Sequence, residues 1–271
     1  MTKRFVPILT LLLLLFGGCE SNEPQLSAAP QETEPSDHQT IEESSPSDVI
    51  GGPIALSYET GDIILVDGSR VSVEDFSEIN TSNPPMAVIA GLNDNGKAIG
   101  VGVHRSGTTL QWAPEGTPGN TIKFSDTVCI QDGPATFHGI TLGGNTWSVI
   151  CSVDDTGTWN AEENYPAFHF VNTYAETFGI TGEYAFDWYM PSIAELCTIY
   201  ENREATNASL QKIHGLNSAA AMDSLGTNWY WASSQSDSED DYAWFVHYFN
   251  GYAGECPKSF DNLHVLAIHE F

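Results

Sequence analysis

An α+β domain is predicted for residues 51–271 from three observations. Strand-like apolar runs gather at both ends of the stretch, amphipathic helical patterns lie between them, and no βαβ alternation links the two sets. No internal repeat of the roughly 20–50-residue kind that builds solenoids is present, so the stretch reads as one domain.

Taken in order, Ile63-Ile-Leu-Val66 followed by Asp67-Gly68 predicts a strand entering a turn, with Arg70 to Phe76 returning. Met86–Ala90 and Ala98–Val103 flank Asn93-Asp-Asn-Gly96 and predict a hairpin. Residues 105–160 mix Gly, Pro, Asn and Asp with short apolar pieces such as Trp147-Ser-Val-Ile-Cys151. Long loops with a strand or two, and no helix, are expected there. Next, Ala167, Phe170, Val171, Tyr174 and Phe178 recur at helical spacing, with Pro166 suited to the first turn and Gly179 to the C-terminal cap. A second helix follows from the stripe Ile193, Leu196, Cys197, Tyr200. Its start is a capping box, Ser192-Ile-Ala-Glu195, in which the hydroxyl accepts a backbone N–H and the carboxylate reaches back. A third carries Leu210 and Ile213 inward and is expected to stop at Gly215.

The C-terminal stretch, about 229–271, opens on Trp229-Tyr-Trp-Ala-Ser-Ser-Gln and passes through the acidic loop Ser236 to Asp241. Strand alternation then places Trp244, Val246 and Tyr248 on one face and Phe245, His247 and Phe249 on the other. Asn250-Gly251 predicts a tight hairpin turn with positive φ at both central residues. Val265 to Phe271 predicts a final strand stitched into the central sheet. Phe245, His247, Phe249 and Tyr252 are expected to face outward. Contiguous exposed aromatics of that kind mark contact sites.

The N-terminus has a different texture. Lys3-Arg4 precedes the apolar run Phe5–Phe16, which is short for a membrane span, and Phe16-Gly-Gly-Cys19 reads as a lipoprotein cleavage box. Residues 1–18 are therefore expected to be a lipoprotein signal peptide, with Cys19 the lipidated residue. Residues 19–50, rich in Glu, Ser and Pro, are expected to form a disordered acidic tether that cannot bury enough surface to offset its ordering entropy. The formal net charge is −27, with 36 Asp and Glu against 9 Lys and Arg. That balance argues against nucleic acid as a partner, since phosphate contacts need a basic face.

No catalytic constellation stands out: P-loop, GxGxxG, HExxH and GxSxG are all missing. His104, His138, His169, His214, His247, His264 and His269 share no metal-ligand spacing. The acidic loop offers oxygens to Ca²⁺ but has no EF-hand pattern, so it reads as a solvated tip. No CxxC occurs; Cys129 and Cys151, both in strand-like runs, are the expected pair if any disulfide forms, and free buried thiols are the equal alternative. Cys256 has only Lys258 nearby to activate it. The expectation is a protein that is not an enzyme and needs neither metal nor cofactor.

A resemblance adds to this. Asp187-Trp-Tyr-Met-Pro-Ser-Ile-Ala-Glu-Leu196, Tyr230-Trp-Ala-Ser-Ser-Gln235, Ala243-Trp244, Asn250-Gly251 and the closing Val265–Phe271 form a series. It resembles bacterial proteins with the C-type lectin fold of the formylglycine-generating enzyme type, and among them the variable proteins of diversity-generating retroelements. The resemblance covers roughly the last 85 residues and, loosely, all of 51–271. It implies a C-type lectin-like domain with long loops, whose C-terminal positions are rewritten by adenine-directed mutation of template Asn codons. Tyr230, Asp237, Asp241, Phe245, His247, Phe249, Tyr252, Ala253, Cys256, Ser259, Asp261, Asn262 and His264 are all reachable from an Asn codon in that way, whereas Trp231, Trp244 and Lys258 are not. Those reachable positions are the expected ligand-binding surface. Leu266 and His269 stand where the family's closing strand carries arginines. The copper-holding cysteine pair of the formylglycine-generating enzymes is absent, because only Cys256 lies in the region, and the calcium motifs of animal lectins do not occur. The resemblance thus implies a monomeric lipoprotein, anchored in the cell envelope through Cys19 and displayed at the outer surface. It would bind a protein ligand. A formylglycine-generating-like enzyme and a fixed structural envelope lipoprotein are the alternatives.

Overall fold

Met86–Ala90 and Ala98–Val103 carry apolar residues or glycine at every position, a pattern that fits strands covered on both faces. The computed structural model, which describes residues 57–271, places them so. Its strands are β1 (Ile63–Leu65), β2 (Arg70–Val71), β3 (Pro85–Leu92), β4 (Ala98–Arg105), β5 (Val128–Gln131), β6 (Phe137–Gly139), β7 (Trp229–Ser236), β8 (Tyr242–His247), β9 (Tyr252–Pro257) and β10 (Leu266–Glu270). One five-stranded sheet has the order β10-β4-β3-β1-β2 and is antiparallel throughout. A second, β6-β5-β7-β8-β9, is antiparallel except where β5 runs parallel to β7. The chain is therefore a mixed α+β protein.

Helices cover both faces of the first sheet. The α-helices of the described residues are α1 (Pro118–Thr121), α2 (Thr146–Val153), α3 (Asp155–Thr158), α4 (Ala161–Asn164), α5 (Pro166–Asn172), α6 (Tyr174–Phe178), α7 (Ile193–Glu201) and α8 (Arg203–Leu216), of which α5 to α8 provide this cover. Val88, Ala90, Ile99, Val101 and Ile268 join Leu196, Leu210 and Ile213 of α7 and α8 in one core cluster. On the opposite face Ala87, Ile89 and Ala267 join Phe168, Val171 and Tyr174 of α5 and α6 in another. The glycines of β4 make the second packing possible: a Cβ on Gly100 would lie 2.3 Å from the Phe271 ring, and one on Gly102 would lie 2.3 Å from the Tyr174 hydroxyl. Both sheets feed both clusters, because Tyr230, Trp244 and Val246 belong to the first and Trp231, Ala243 and Phe245 to the second.

The capping box of α7 forms as predicted, and Glu195 does more than cap. Its buried carboxylate accepts from the Ser192 backbone at 2.8 Å, the Gly143 backbone at 2.9 Å and the Tyr189 hydroxyl at 2.9 Å. Burial nevertheless raises its pKa. The helical pattern over 166–178 is present but divided at Thr173, whose hydroxyl donates to the His169 carbonyl at 2.8 Å and draws on the preceding turn. Gly179 caps it in the left-handed conformation, with φ 69°. Helix α8 runs one residue past Gly215.

The stretch 105–160 corrects the sequence expectation. It holds β5 and β6, but Trp147–Cys151 is helical, within α2. β-Branched and aromatic residues favour a strand there, yet Thr146 and Ile150 are the buried pair, four residues apart on one helical face. Tertiary packing overrides local propensity at this point. Cys129 on β5 and Cys151 on α2 are both free, as are Cys197 and Cys256. The expected signal peptide, the expected lipidation at Cys19 and the expected tether lie outside the described residues. Among the described residues no helix is long and apolar enough to cross a membrane.

Candidate binding surface

Strand pairing fixes which C-terminal side chains share a face. Trp229 and Trp231 on β7 pair with His247 and Phe245 on β8, which pair in turn with Tyr252 and Gly254 on β9; Cys256 pairs with Ala243. One face of the second sheet thus carries Trp229, Trp231, Ala243, Phe245, His247, Tyr252 and Cys256. The expected outward face exists, but much of it is covered. The segment 106–113 runs beside 258–265, with Ser106 N bonded to Val265 O at 3.0 Å, Leu110 N to Leu263 O at 2.8 Å and Trp112 N to Lys258 O at 2.9 Å. It is tied to β7 by Trp231 Nε1 donating to Leu110 O at 2.8 Å and Trp112 Nε1 donating to Ala232 O at 3.1 Å.

Two predicted surface residues are buried, on opposite faces of the sheet. Phe245 is 4% exposed in the second core cluster, and Tyr230 is fully buried in the first, its hydroxyl donating to Leu225 O at 2.7 Å. Phe249 and Tyr252 are open, at 72% and 59% exposure, and His247 is half-buried between them and Trp229. The rings form a connected ladder: Tyr252 to Phe245 at 6.1 Å, Phe245 to Trp229 at 4.9 Å, Trp229 to His247 at 4.8 Å, and His247 to Phe249 at 5.9 Å. Trp229 was not among the predicted binding positions; its place at the start of an alternating strand, two residues from Trp231, was the available signal.

The hairpin joining β8 to β9 differs from the predicted two-residue turn. His247 pairs with Tyr252, leaving Tyr248–Gly251 as a four-residue loop in which the backbone N–H of Gly251 reaches His247 O at 2.8 Å. Only Gly251 has positive φ, at 74°, so Asn250 needs no left-handed conformation. Tyr248 is buried and its hydroxyl donates to Leu196 O at 3.0 Å, anchoring the tip to α7.

The remaining predicted positions divide between the two ends of the sheet. His264 lies next to Trp229, with its backbone N–H on Trp229 O at 2.8 Å and its Nδ1 3.1 Å from the Ser106 carbonyl. Burial lowers its pKa. Asp261 and Asn262 are exposed on the segment leading to it. Asp237 and Asp241 sit at the far end of β8, whose six residues span about 20 Å of extended chain, so they do not belong to the hairpin patch. Ala253 faces the other way and packs on the first cluster. Cys256 is half-buried against the second, where burial pushes its thiol up to about 12, and Ser259 accepts from Gln111 Nε2 through its carbonyl.

The acidic loop is pinned rather than free. Lys123 lies 3.6 Å from Asp237 and 3.8 Å from Asp240, and the Gln235 side chain donates to Asp240 O at 2.6 Å. Beneath it Lys258 is fully buried. Its ammonium donates to Gly119 O at 2.9 Å and Ile122 O at 2.8 Å and lies over the Trp112 ring at 4.9 Å. Burial pushes its pKa down to about 7, against the pull of Asp240 and Asp241. Among the described residues no group of three or more His, Cys, Asp or Glu could hold a metal ion.

No family model matches the chain. No curated protein matches it either. Among solved structures, a fimbrial protein from Bacteroides ovatus ATCC 8483 is similar in fold, with a TM-score of 0.57 at 14% identity. The similarity covers 79% of this chain and 49% of that one, so this chain spans about half the length of the fimbrial protein.

Proposed function

We propose that this protein is a surface-displayed lipoprotein that binds protein ligands through its C-terminal surface, on a C-type lectin-type scaffold. The observation that carries the reading is the pair Phe249 and Tyr252, exposed at the hairpin and backed by a ladder of packed rings. A rigid aromatic edge of that kind loses little side-chain entropy on binding and is the chemistry of protein-contact hot spots. Binding is contact complementarity; no bond is made or broken. The lipobox at Cys19 and the acidic segment after it support display on a tether from the envelope. Together with the C-terminal series they are similar to Treponema variable protein A, which supports diversification by a retroelement. On this reading Phe249, Tyr252, His247, Asp261, Asn262 and His264 form the changeable patch, and Trp231, Trp244 and Lys258 hold the frame.

A second reading, a fixed structural protein of the cell surface, is favoured by the fimbrial protein among its neighbours in fold. Sequencing the DNA downstream of the gene across a population of cells separates the two. Diversification requires a near-copy of the last codons beside a reverse transcriptase gene, with Asn codons at the changeable positions. An invariant 3′ end with no second copy would remove the first reading and leave the fixed one.

A further inference from the structure

Strand β9 (Tyr252–Pro257) is the outer strand of the second sheet, paired with β8 on one side only. We propose that its open side takes up an extended segment of the protein ligand as an added β-strand, with apolar side chains at the hairpin end and lysine or arginine at the acidic-loop end. This rests on reading the C-terminal surface as protein-binding, and it gives the ligand a conformation and a charge.

The phase of the ladder shows which backbone groups are open. Lys258 N–H donates to Asp241 O at 2.7 Å, and on the other side of β8 Tyr248 N–H donates to Asn228 O at 2.9 Å. Alternate residues of a strand turn their N–H and C=O to opposite neighbours. Tyr252, Gly254 and Cys256 therefore turn theirs toward His247, Phe245 and Ala243, while those of Ala253 and Glu255 point away from the sheet. Among the described residues no hydrogen bond reaches these outward groups, and both residues are partly exposed. An extended backbone supplies donors and acceptors at the matching spacing, which is the basis of strand addition. Pairing stops at Pro257, which has no N–H and whose carbonyl accepts from Phe260 N–H at 2.8 Å.

Side chains along the edge select the segment. Tyr252 is exposed and lays its ring beside Gly254, where a Cβ would lie 2.6 Å from it. With Phe249 it makes an aromatic shelf on which an apolar side chain of a neighbouring strand would pack. At the other end Glu255 accepts from Ser238 Oγ at 2.7 Å, which brings the acidic loop against the strand. Lys123 lies near Asp237 and Asp240, and Lys258 is buried beneath; Glu239, Asp241 and Glu255 form no ion pair among the described residues. That excess of negative charge favours a cationic segment. It disfavours a second copy of this chain, whose net charge is −27 and whose own β9 would bring another Glu255 alongside. An added strand would touch both ends of the surface, which the six residues of β9 hold about 20 Å apart.

The test uses the full-length protein with the capped peptide Lys-Thr-Lys-Val-Thr-Val-Tyr-Val, its reverse, a version with Glu for Lys, and a version N-methylated on the amides that would face β9. Calorimetry reads affinity, and NMR reads amide hydrogen exchange. The lysine peptide, in one of its two directions, should bind about tenfold or more tightly than the glutamate peptide, with the gap closing at high salt. It should slow exchange at the Ala253 and Glu255 amides. N-methylation, which leaves the protein untouched, should weaken binding about fivefold or more, the effect of one net hydrogen bond. Glu255→Pro should weaken it more than Glu255→Gln, because Pro also removes an outward N–H and no bond to β8. Binding that leaves the two amides exchanging freely, or that N-methylation does not weaken, would overturn edge pairing; if Phe249→Ala still weakened such binding, the aromatic patch would stand without it. Protection of both amides in a peptide-free dimer would overturn the proposal in favour of a second copy. Failure of every peptide would overturn it alone, since diversification of the surface is tested separately on the downstream DNA.

Discussion

The rings of Trp229 and Phe245 stack 4.9 Å apart with 7° between their planes, joining an open aromatic edge to the core. This contact separates the exposed aromatics, Phe249 and Tyr252, from the buried ones that support them. Phe245→Ala should cost about 3–5 kcal/mol of stability, as for other buried aromatics. Phe249→Ala and Tyr252→Ala should stay within about 0.5 kcal/mol, as exposed positions do. Urea melts of the three variants check this; equal losses would erase the distinction.

Glu195 should be among the most sensitive polar positions. Glu195→Ala leaves the Ser192 and Gly143 N–H groups and the Tyr189 hydroxyl without their acceptor, in a buried site. A cost of about 2–4 kcal/mol is expected from the stranded donors. Thermal unfolding measures it, and a near-neutral variant would mean that the surrounding groups find other partners.

Lys258 gives stability a signed dependence on pH. Its folded pKa of about 7 lies below the ordinary 10.5, so between those values the unfolded chain binds the extra proton. Stability therefore rises with pH through that window and is flat with respect to this group below it. The slope is at most about 1.4 kcal/mol per pH unit. Lys258→Met should remove that component, seen as a shallower rise from pH 7 toward alkaline pH in paired urea melts. Parallel curves for the two proteins would contradict the assignment.

The buried thiols should be slow to alkylate. Burial pushes Cys129 up to about 11 and Cys197 up to about 12. Because the thiolate is the reactive form, native protein at pH 8 should react with iodoacetamide at these two positions about a hundredfold or more slowly than denatured protein. Mass spectrometry after timed quenching reads the rates. Rapid native labelling would show that these positions open locally.

Much of the frame was legible locally. The turn between β3 and β4, the capping box at Ser192 and Glu195, and the stop at Gly179 depend on residues close in sequence, and each forms. The region 105–160 was less legible, because Trp147–Cys151 suits either a strand or a short helix and the choice follows from what covers Ile150. For the candidate surface, alternation gave the two faces of β8 correctly but not their fate. Phe245 and Tyr230 were read as surface and are core; Phe249 and Tyr252 were read as surface and are.

By itself, then, the sequence determined the α+β class, the ends of several elements and the division of β8 into faces, since turn, cap and period-two signals are local. Only the tertiary structure decided that segment 106–113 lies along 258–265, tied to β7 through the indole N–H groups of Trp231 and Trp112. It also decided that an aromatic edge stays open at the hairpin and that residues as far apart in sequence as Trp147, Asp187 and His269 line one cleft. Contacts between distant segments depend on which surfaces exclude water together, and no short window of residues encodes that.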